Sequence, residues 1–311
     1  MKKLQAFVAL TIVMALIGGC ALSPEKAAKN AIREATANFL KVSSANYELV
    51  LNGALAGTPD QQLSVSFDAK AVGVYDKKDP KKPQFATKIT GGLAIAEQPA
   101  QNFDVELRLN TTDLYANLFK VPALAETFVP KKTISAIANK WWTVPVPAGA
   151  FDQMPVGGAQ DEATKTPEQK ASDELFKKTD FFKDLKLVGE EALDGVNCLH
   201  YNGNIDKEAS KTFIVESSKI NGKTLSETEL KDLDSFLKSL TAPVDMWIDS
   251  SNSTLVKVAS KLSVVPENGG SLTLDLSFKV SNLDKEVKID VPKGATLFDP
   301  SILAGALPLG N

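Results

Sequence analysis

The sequence predicts an α+β fold: a large curved antiparallel β-sheet with a few helices gathered on one face. Three observations predict it. Several long stretches alternate strictly between apolar and polar residues, which marks antiparallel strands with one dry and one wet face. Turn residues recur between those stretches at hairpin spacing. The helix-period stretches are too few to separate the strands into βαβ units.

The chain opens on a different kind of segment. Met1-Lys2-Lys3 is a positive head, Leu4–Ile17 is an apolar run broken only by Gln5 and Thr11, and Gly18-Gly19 leads into Cys20. This is the pattern of a secretory signal peptide, and the run falls short of the ~20 apolar residues a membrane span needs. A cysteine straight after two small residues resembles the lipobox of bacterial lipoproteins, in which that cysteine is diacylated on sulfur and becomes the new N-terminus. The alternative is a plain signal peptide with a chance cysteine. The expected organisation is a lipoprotein signal peptide over 1–19, an acylated N-terminus and helix over 20–44, and a single β-rich domain over 45–311 with a mobile loop near 145–167.

Composition narrows the function classes. Loss of Lys2 and Lys3 with the signal takes the formal charge from −3 to −5. A mildly acidic chain without a basic block has no electrostatic support for a nucleic-acid partner. The only cysteines are Cys20 and Cys198. Acylation of Cys20 leaves Cys198 without a partner in the chain, and a domain of this length can fold without disulfides. No second apolar stretch reaches spanning length, so the expected body is a tethered monomer in water.

Taken in order, Ser23-Pro24 reads as a helix cap and first helical position. Ala28, Ile32, Ala35 and Phe39 form one narrow apolar stripe as far as Leu40, with Lys26, Lys29, Arg33 and Asn38 on the opposite side. Such a helix belongs on the surface of a sheet. From Ala45 the period becomes two. In Gln62–Tyr75, Leu63, Val65, Phe67, Ala69 and Ala71 face one way; in Asn102–Asn110, Phe103, Val105, Leu107 and Leu109 do. Phe85–Glu97 is a weaker strand between them. Asn52-Gly53, Thr58-Pro59-Asp60 and the charged stretch Asp76–Pro83 read as bends or hairpin loops. Residues 45–119 are thus a meander of four or five strands.

Pro122 and Pro130 bracket a short segment, Lys132–Asn139 reads as one or two helical turns, and Trp141–Val144 as a strand. Pro145–Pro167 is the most loop-like stretch, and a helix from Pro167 to about Phe182 follows it. Lys186–Asp206 is a hairpin turning at Leu193-Asp194-Gly195. Thr224–Leu240 is a helix with Glu227, Glu229 and Asp232 early and Lys238 late, as the helix dipole favours. Its stripe is Leu230, Leu233, Phe236 or Leu237, and Leu240; Pro243 stops it. Val244–Asp249 and Leu255–Val265 form a hairpin. Ser271–Ser281 alternates most sharply, with Leu272, Leu274, Leu276, Phe278 and Val280 inward. Glu286–Val291 repeats the pattern as a further strand before an Ala/Gly/Leu/Pro tail.

Groups that exchange protons or attack are scarce. The single histidine, His200, shares a strand face with Cys198. A Cys/His pair could supply a thiol nucleophile, but no signature surrounds it and nothing in the sequence orients the imidazole; a buried structural thiol and a surface or edge histidine are the expectation. Two ligands do not make a zinc site. Asp249-Ser250-Ser251-Asn252 lacks the further carboxylates a calcium loop needs. Gly91-Gly92 and Gly157-Gly158 have no following Lys-Ser/Thr and helix to cradle phosphate. No catalytic residue, metal or cofactor is expected.

The inward faces carry a different signal. Ala69, Ala71, Gly73 and Gly91 or Gly92 are small, and small residues side by side do not fill a core to native density. Either a helix packs closely over them, or an apolar cavity remains that takes up an apolar guest.

Three stretches carry a family resemblance. Asp113-Leu114-Tyr115-Ala116-Asn117-Leu118 is similar to the strand preceding the central helices of the LppX/LprG-type lipoproteins. Val188-Gly189-Glu190-Glu191 with Leu193-Asp194-Gly195-Val196 resembles that family's G-x-E-x-(L/V)-D/N-G hairpin. Met246-Trp247-Ile248-Asp249 with Leu255-Val256-Lys257 resembles its W-(I/V)-D … L-(V/P)-(K/R) hairpin. With the lipobox, these motifs resemble that family and, more distantly, the LolA/LolB lipoprotein carriers. The resemblance implies a half-barrel holding acyl chains between sheet and helices, and a role in moving lipids or lipoproteins across the cell envelope. It brings no catalytic residue. The long stretch 145–167 departs from the pattern and leaves the cargo open.

The expected function is therefore a membrane-anchored lipoprotein on the exported side of a cell membrane, held through a diacylglyceryl-Cys20. Ala21 permits outer-membrane sorting in a two-membrane host. The lipid or amphiphile would lie on Leu63, Val65, Phe67, Phe103, Val105, Leu107, Leu272, Leu274, Leu276 and Phe278. At ~0.8 kcal/mol per buried CH₂ a sixteen-carbon chain offers roughly 10 kcal/mol, so few polar contacts are required. The alternative is a structural or protein-interaction lipoprotein whose core is fully packed and empty.

Overall fold

In the computed structural model, residues 23–58, 64–79, 82–96, 98–147, 165–266 and 269–304 are described. The predicted signal segment, Cys20, Leu63, most of the 145–167 stretch and the C-terminal tail lie outside them.

Helix α1 (Pro24–Lys41) begins as its sequence dictates: the Ser23 hydroxyl accepts from the Lys26 amide at 3.3 Å, and Pro24 takes the first turn. Ala28, Ile32 and Ala35 are buried. Five strands follow as a meander, β1 (Ser44–Ala56), β2 (Ser64–Asp76), β3 (Gln84–Ile95), β4 (Gln101–Asn110) and β5 (Asp113–Lys120). A 3₁₀ turn at Ala123–Thr127 and the short helix α2 (Lys131–Ile137) lead to β6 (Trp141–Pro145). Helix α3 (Pro167–Lys178) then precedes the hairpin β7 (Phe182–Leu193) and β8 (Val196–Ile205). That hairpin turns at Asp194-Gly195 with φ of +49° and +83°, the left-handed pair that the tightest hairpins require.

Helix α4 (Lys207–Ile220), capped by the Asp206 carboxylate, was not legible in the sequence. Helix α5 (Glu227–Ser239) starts on a capping box, Ser226 with Glu229. Lys223, and then the Ser226 amide and hydroxyl, hold the Glu229 carboxyl down at about 2. The chain returns as β9 (Leu240–Thr241), β10 (Pro243–Asp249), β11 (Thr254–Val264) and β12 (Ser271–Ser281), and ends with β13 (Thr296–Leu297) and a last helical turn, α6 (Ser301–Ala304).

All thirteen strands form one open sheet in the order β13-β6-β5-β4-β3-β2-β1-β12-β11-β10-β8-β7, with β9 pairing β11. Every pair is antiparallel except β13 with β6. The predicted α+β class, with one large and almost wholly antiparallel sheet, is thus the observed one. β1 joins the two halves of the chain by lying between β2 and β12.

Three sequence expectations are corrected. Asn52-Gly53 is no bend: it lies within β1, where Gly53 pairs with Phe67. The helix after the loop stops at Lys178, since Thr179 is extended and Phe182 already begins β7. Glu286–Val291 forms no strand. β12 has β1 on one side and β11 on the other, which leaves no edge for it. The segment instead crosses the sheet, where Arg108 Nη1 donates to the Asp290 carbonyl at 2.7 Å, and delivers β13 to the free edge of β6.

Candidate ligand-binding site

Register alignment makes the dry face continuous. Leu118, Val105, Ile89, Ala71, Leu49, Phe278, Val258, Met246 and Tyr201 are successive cross-strand partners, so one apolar row runs across nine strands. A parallel row runs Phe103, Gly91, Ala69, Leu51, Leu276. The small residues on this face are filled in a way the sequence reading did not include. A Cβ on Gly53 would lie 2.2 Å from the Phe67 ring, one on Gly91 2.6 Å from the Phe103 ring, and one on Gly73 2.8 Å from the Tyr47 ring. Each aromatic ring lies flat across its partner glycine. Neither helix packing nor an empty hole is needed there, and the sheet presents a smooth apolar floor.

Helices cover only part of that floor. α1 packs on β7, β8, β10 and β11 through Ala28, Ile32 and Ala35, which bury Leu185, Tyr201, Val244, Met246 and Ile248. α5 covers the ends of β9 and β11 through Leu233 and Leu237, which pack with Leu240, Leu262 and Val264. Over the meander, Leu49, Leu51, Phe67, Ile89 and Val105 stay half-buried.

Between α1 and the sheet a cleft of about 700 Å³ remains, within the usual ~300–1,000 Å³ range of small-molecule sites. Leu185, Met246, Leu255 and Val258 make its floor, and Ile32, Ala37 and Leu40 of α1 make one wall. Phe176, Phe181 and Phe182 close the other side. Phe176, Phe181 and Phe213 of α4 form an aromatic cluster with ring centroids 5.0–6.3 Å apart, which fixes the end of α3 over the cleft. Thr36, Thr179, Lys29, Arg33, Lys177 and Asp180 complete the lining, with an ion pair between Arg33 and Asp180 joining α1 to the α3–β7 connection. Lys29 and Arg33, read from the sequence as the solvated side of the helix, thus flank the cleft. A smaller pocket of about 250 Å³, lined by Phe39, Tyr75, Pro83 and Phe85 among others, lies on the far side of Leu40.

Of the residues predicted to bind, Val65, Phe67, Phe103, Val105, Leu107, Leu272, Leu274, Leu276 and Phe278 all share the face that carries the cleft. None of them lines the cleft itself. Phe278 comes nearest, as the cross-strand neighbour of Val258, and packs edge-on against Phe39 of α1 at 6.1 Å. Leu63 and Cys20 lie outside the described residues. The lining that sequence reasoning missed comes from α1, the end of α3 and the β10–β11 hairpin. One signal was available: Ile32, Thr36, Ala37 and Leu40 form a second weakly apolar strip beside the main stripe of α1.

The opposite face holds the lone histidine. His200 stacks on Trp247, 4.4 Å between centroids and 12° from parallel. Its Nε2 lies 2.9 Å from Asp245 and its Nδ1 3.5 Å from Glu191. Asn202 Nδ2 donates to Asp245 and Trp247 Nε1 donates to Glu191, each at 2.9 Å, while Lys257 Nζ sits 4.1 Å from the indole centroid. Two carboxylates therefore do orient the imidazole, contrary to the sequence expectation. They make a satisfied network that braces β7, β8, β10 and β11. Cys198 is fully buried, and burial pushes its thiol up, the reverse of what a nucleophile requires. Among the described residues no group of three or more His, Cys, Asp and Glu is placed to hold a metal, and no helix is long and apolar enough to cross a membrane.

No family model and no curated protein matches the chain. Among solved structures it is similar to the lipoprotein LppX from Mycobacterium tuberculosis, at 14% identity over 85% of this chain and 98% of that one, with a TM-score of 0.35. LprF from Mycobacterium bovis is also similar, at 14% identity over 88% and 100%, with a TM-score of 0.35. A LolA superfamily protein from Nitrosomonas europaea is similar at 12% identity over 85% and 96%, with a TM-score of 0.19.

Proposed function

We propose that the protein is an exported lipoprotein, tethered through Cys20, that binds amphiphiles by their acyl chains rather than transforming them. The observation that carries this reading is the cleft between α1 and the sheet: an apolar floor of Leu185, Met246, Leu255 and Val258 in a volume of about 700 Å³. Burial of chain methylenes drives such binding without a polar constellation. The remaining inward face, from Val65 and Phe67 through Phe103, Val105 and Leu107 to Leu272, Leu274, Leu276 and Phe278, extends the same floor for longer or additional chains.

Ala37 is exposed on the cleft wall and away from the buried stripe. Ala37→Trp should leave the melting temperature unchanged and weaken displacement of a neutral naphthylamine probe by more than about tenfold, or 1.4 kcal/mol. Organic extraction of the unfolded wild-type protein followed by mass spectrometry should release lipid. If no lipid co-purifies and the probe binds neither form, the protein is an interaction lipoprotein with no ligand. For the tether, Cys20→Ser should move the protein from the membrane to the soluble fraction, and unchanged membrane association would defeat the anchor.

A further inference from the structure

We infer that the ligand of the cleft is an anionic amphiphile, its carboxylate or phosphate headgroup held by Lys29, Arg33 and Lys177; this rests on the acyl-chain reading above. The base of the cleft is apolar, and its charges lie at the accessible rim. Ile32, Leu185 and Met246 are almost wholly buried at its base. Beside the exposed apolar residues Ala37, Leu40 and Phe176, its rim carries the four charged lining residues, with side chains between 28% and 62% accessible. A chain lying on the floor puts its polar end among them.

The lining holds three cations and one carboxylate, Asp180. The other carboxylates that pair with these cations, Glu25 at 3.3 Å from Lys29 and Glu174 at 3.4 Å from Lys177, are not part of the lining. Exposed pairs of this kind contribute little and exchange readily with water or a competing anion. Arg33 meets Asp180 through Nη2, which leaves the rest of its planar donor fork to face a headgroup. Charge-assisted hydrogen bonds from a guanidinium and two ammonium groups favour an anion there, give an alcohol far less and repel a cation. The Arg33–Asp180 pair also spans from α1 to the end of α3, so an arriving headgroup competes with the contact that links the two walls.

The test uses the full chain, freed of lipid, with the neutral probe in the cleft at pH 8 and all competitors below their aggregation limits. Hexadecanoate and hexadecyl phosphate should displace the probe at least about fivefold more tightly than hexadecanol, and hexadecyltrimethylammonium should be weakest. The ratio of acid to alcohol should shrink towards one in 0.5 M salt, where surface electrostatics are screened. It should do the same in the triple variant Lys29→Gln, Arg33→Gln, Lys177→Gln, where the ratio is read within the variant and so does not depend on its absolute affinity. Acetate and inorganic phosphate alone should displace nothing; displacement by either would assign the cations to a free anion and overturn the amphiphile. Equal affinity for acid and alcohol, or a ratio that survives in the triple variant, overturns the headgroup site and leaves the acyl-chain reading standing. Displacement by none of the sixteen-carbon compounds overturns both.

Discussion

Met246→Ala should lower the stability of the protein by about 3 kcal/mol, read from the midpoint of denaturant unfolding. Met246 is the largest fully buried side chain of the described residues, 1% exposed, and it is central to the seam where α1 meets the sheet. Truncation removes contacts with Ile32 and Ala35 on one side and with its strand neighbours on the other, and the helix cannot settle far enough to fill the gap. Met246→Leu, close in volume, should cost less than about 1.5 kcal/mol. The same side chain is part of the cleft floor. The alanine variant should therefore also accept bulkier apolar competitors than the wild type does, though it is less stable. A stability loss under about 1 kcal/mol for the alanine variant would mean that α1 is not packed on the sheet as described.

Gly91→Val should cost about 3 kcal/mol, although valine ordinarily favours a strand and glycine ordinarily weakens one. The obstacle is steric. A Cβ at this position meets the Asp68 carbonyl oxygen at 2.3 Å and the Phe103 ring at 2.6 Å. The ring can swing aside, but the carbonyl belongs to the neighbouring strand and moves only if β2 moves. Gly53 provides the control, because its close neighbours are all atoms of the Phe67 ring. Gly53→Ala should thus be rescued by Phe67→Ala, whereas Gly91→Ala should remain destabilised in combination with Phe103→Ala. A double-mutant cycle separates the two cases. Rescue at both glycines would show that the rings alone, and not the approach of the backbone, set the requirement.

How far these features can be read from the chain depends on the distance over which they are encoded. The Ser23-Pro24 start of α1 and the Asp194-Gly195 turn are legible because each is satisfied within a few residues. Ser271–Ser281 is legible because its alternation states which side faces the core. Helix α4 escaped notice because its cap, Asp206, ends the preceding strand pattern and its apolar stripe leaves no residue buried. The predicted strand at Glu286–Val291 has the right alternation, but a strand also needs a free neighbour, and alternation says nothing about that.

The sequence by itself determined the periods, the Ser23-Pro24 helix start, the Asp194-Gly195 turn and the dry face of the long strands. All of these follow from rules that act between residues close in the chain. Only the tertiary structure decided that β12 pairs with β1, that aromatic rings roof the glycines, and that the cleft lies under α1. The cleft lining runs from Lys29 to Val258, and cross-strand register brings its parts together. Which apolar residues end up in a close-packed seam and which are left beside a space is settled by the volumes and angles of packed elements. Hydrophobic periodicity states only which side turns away from water.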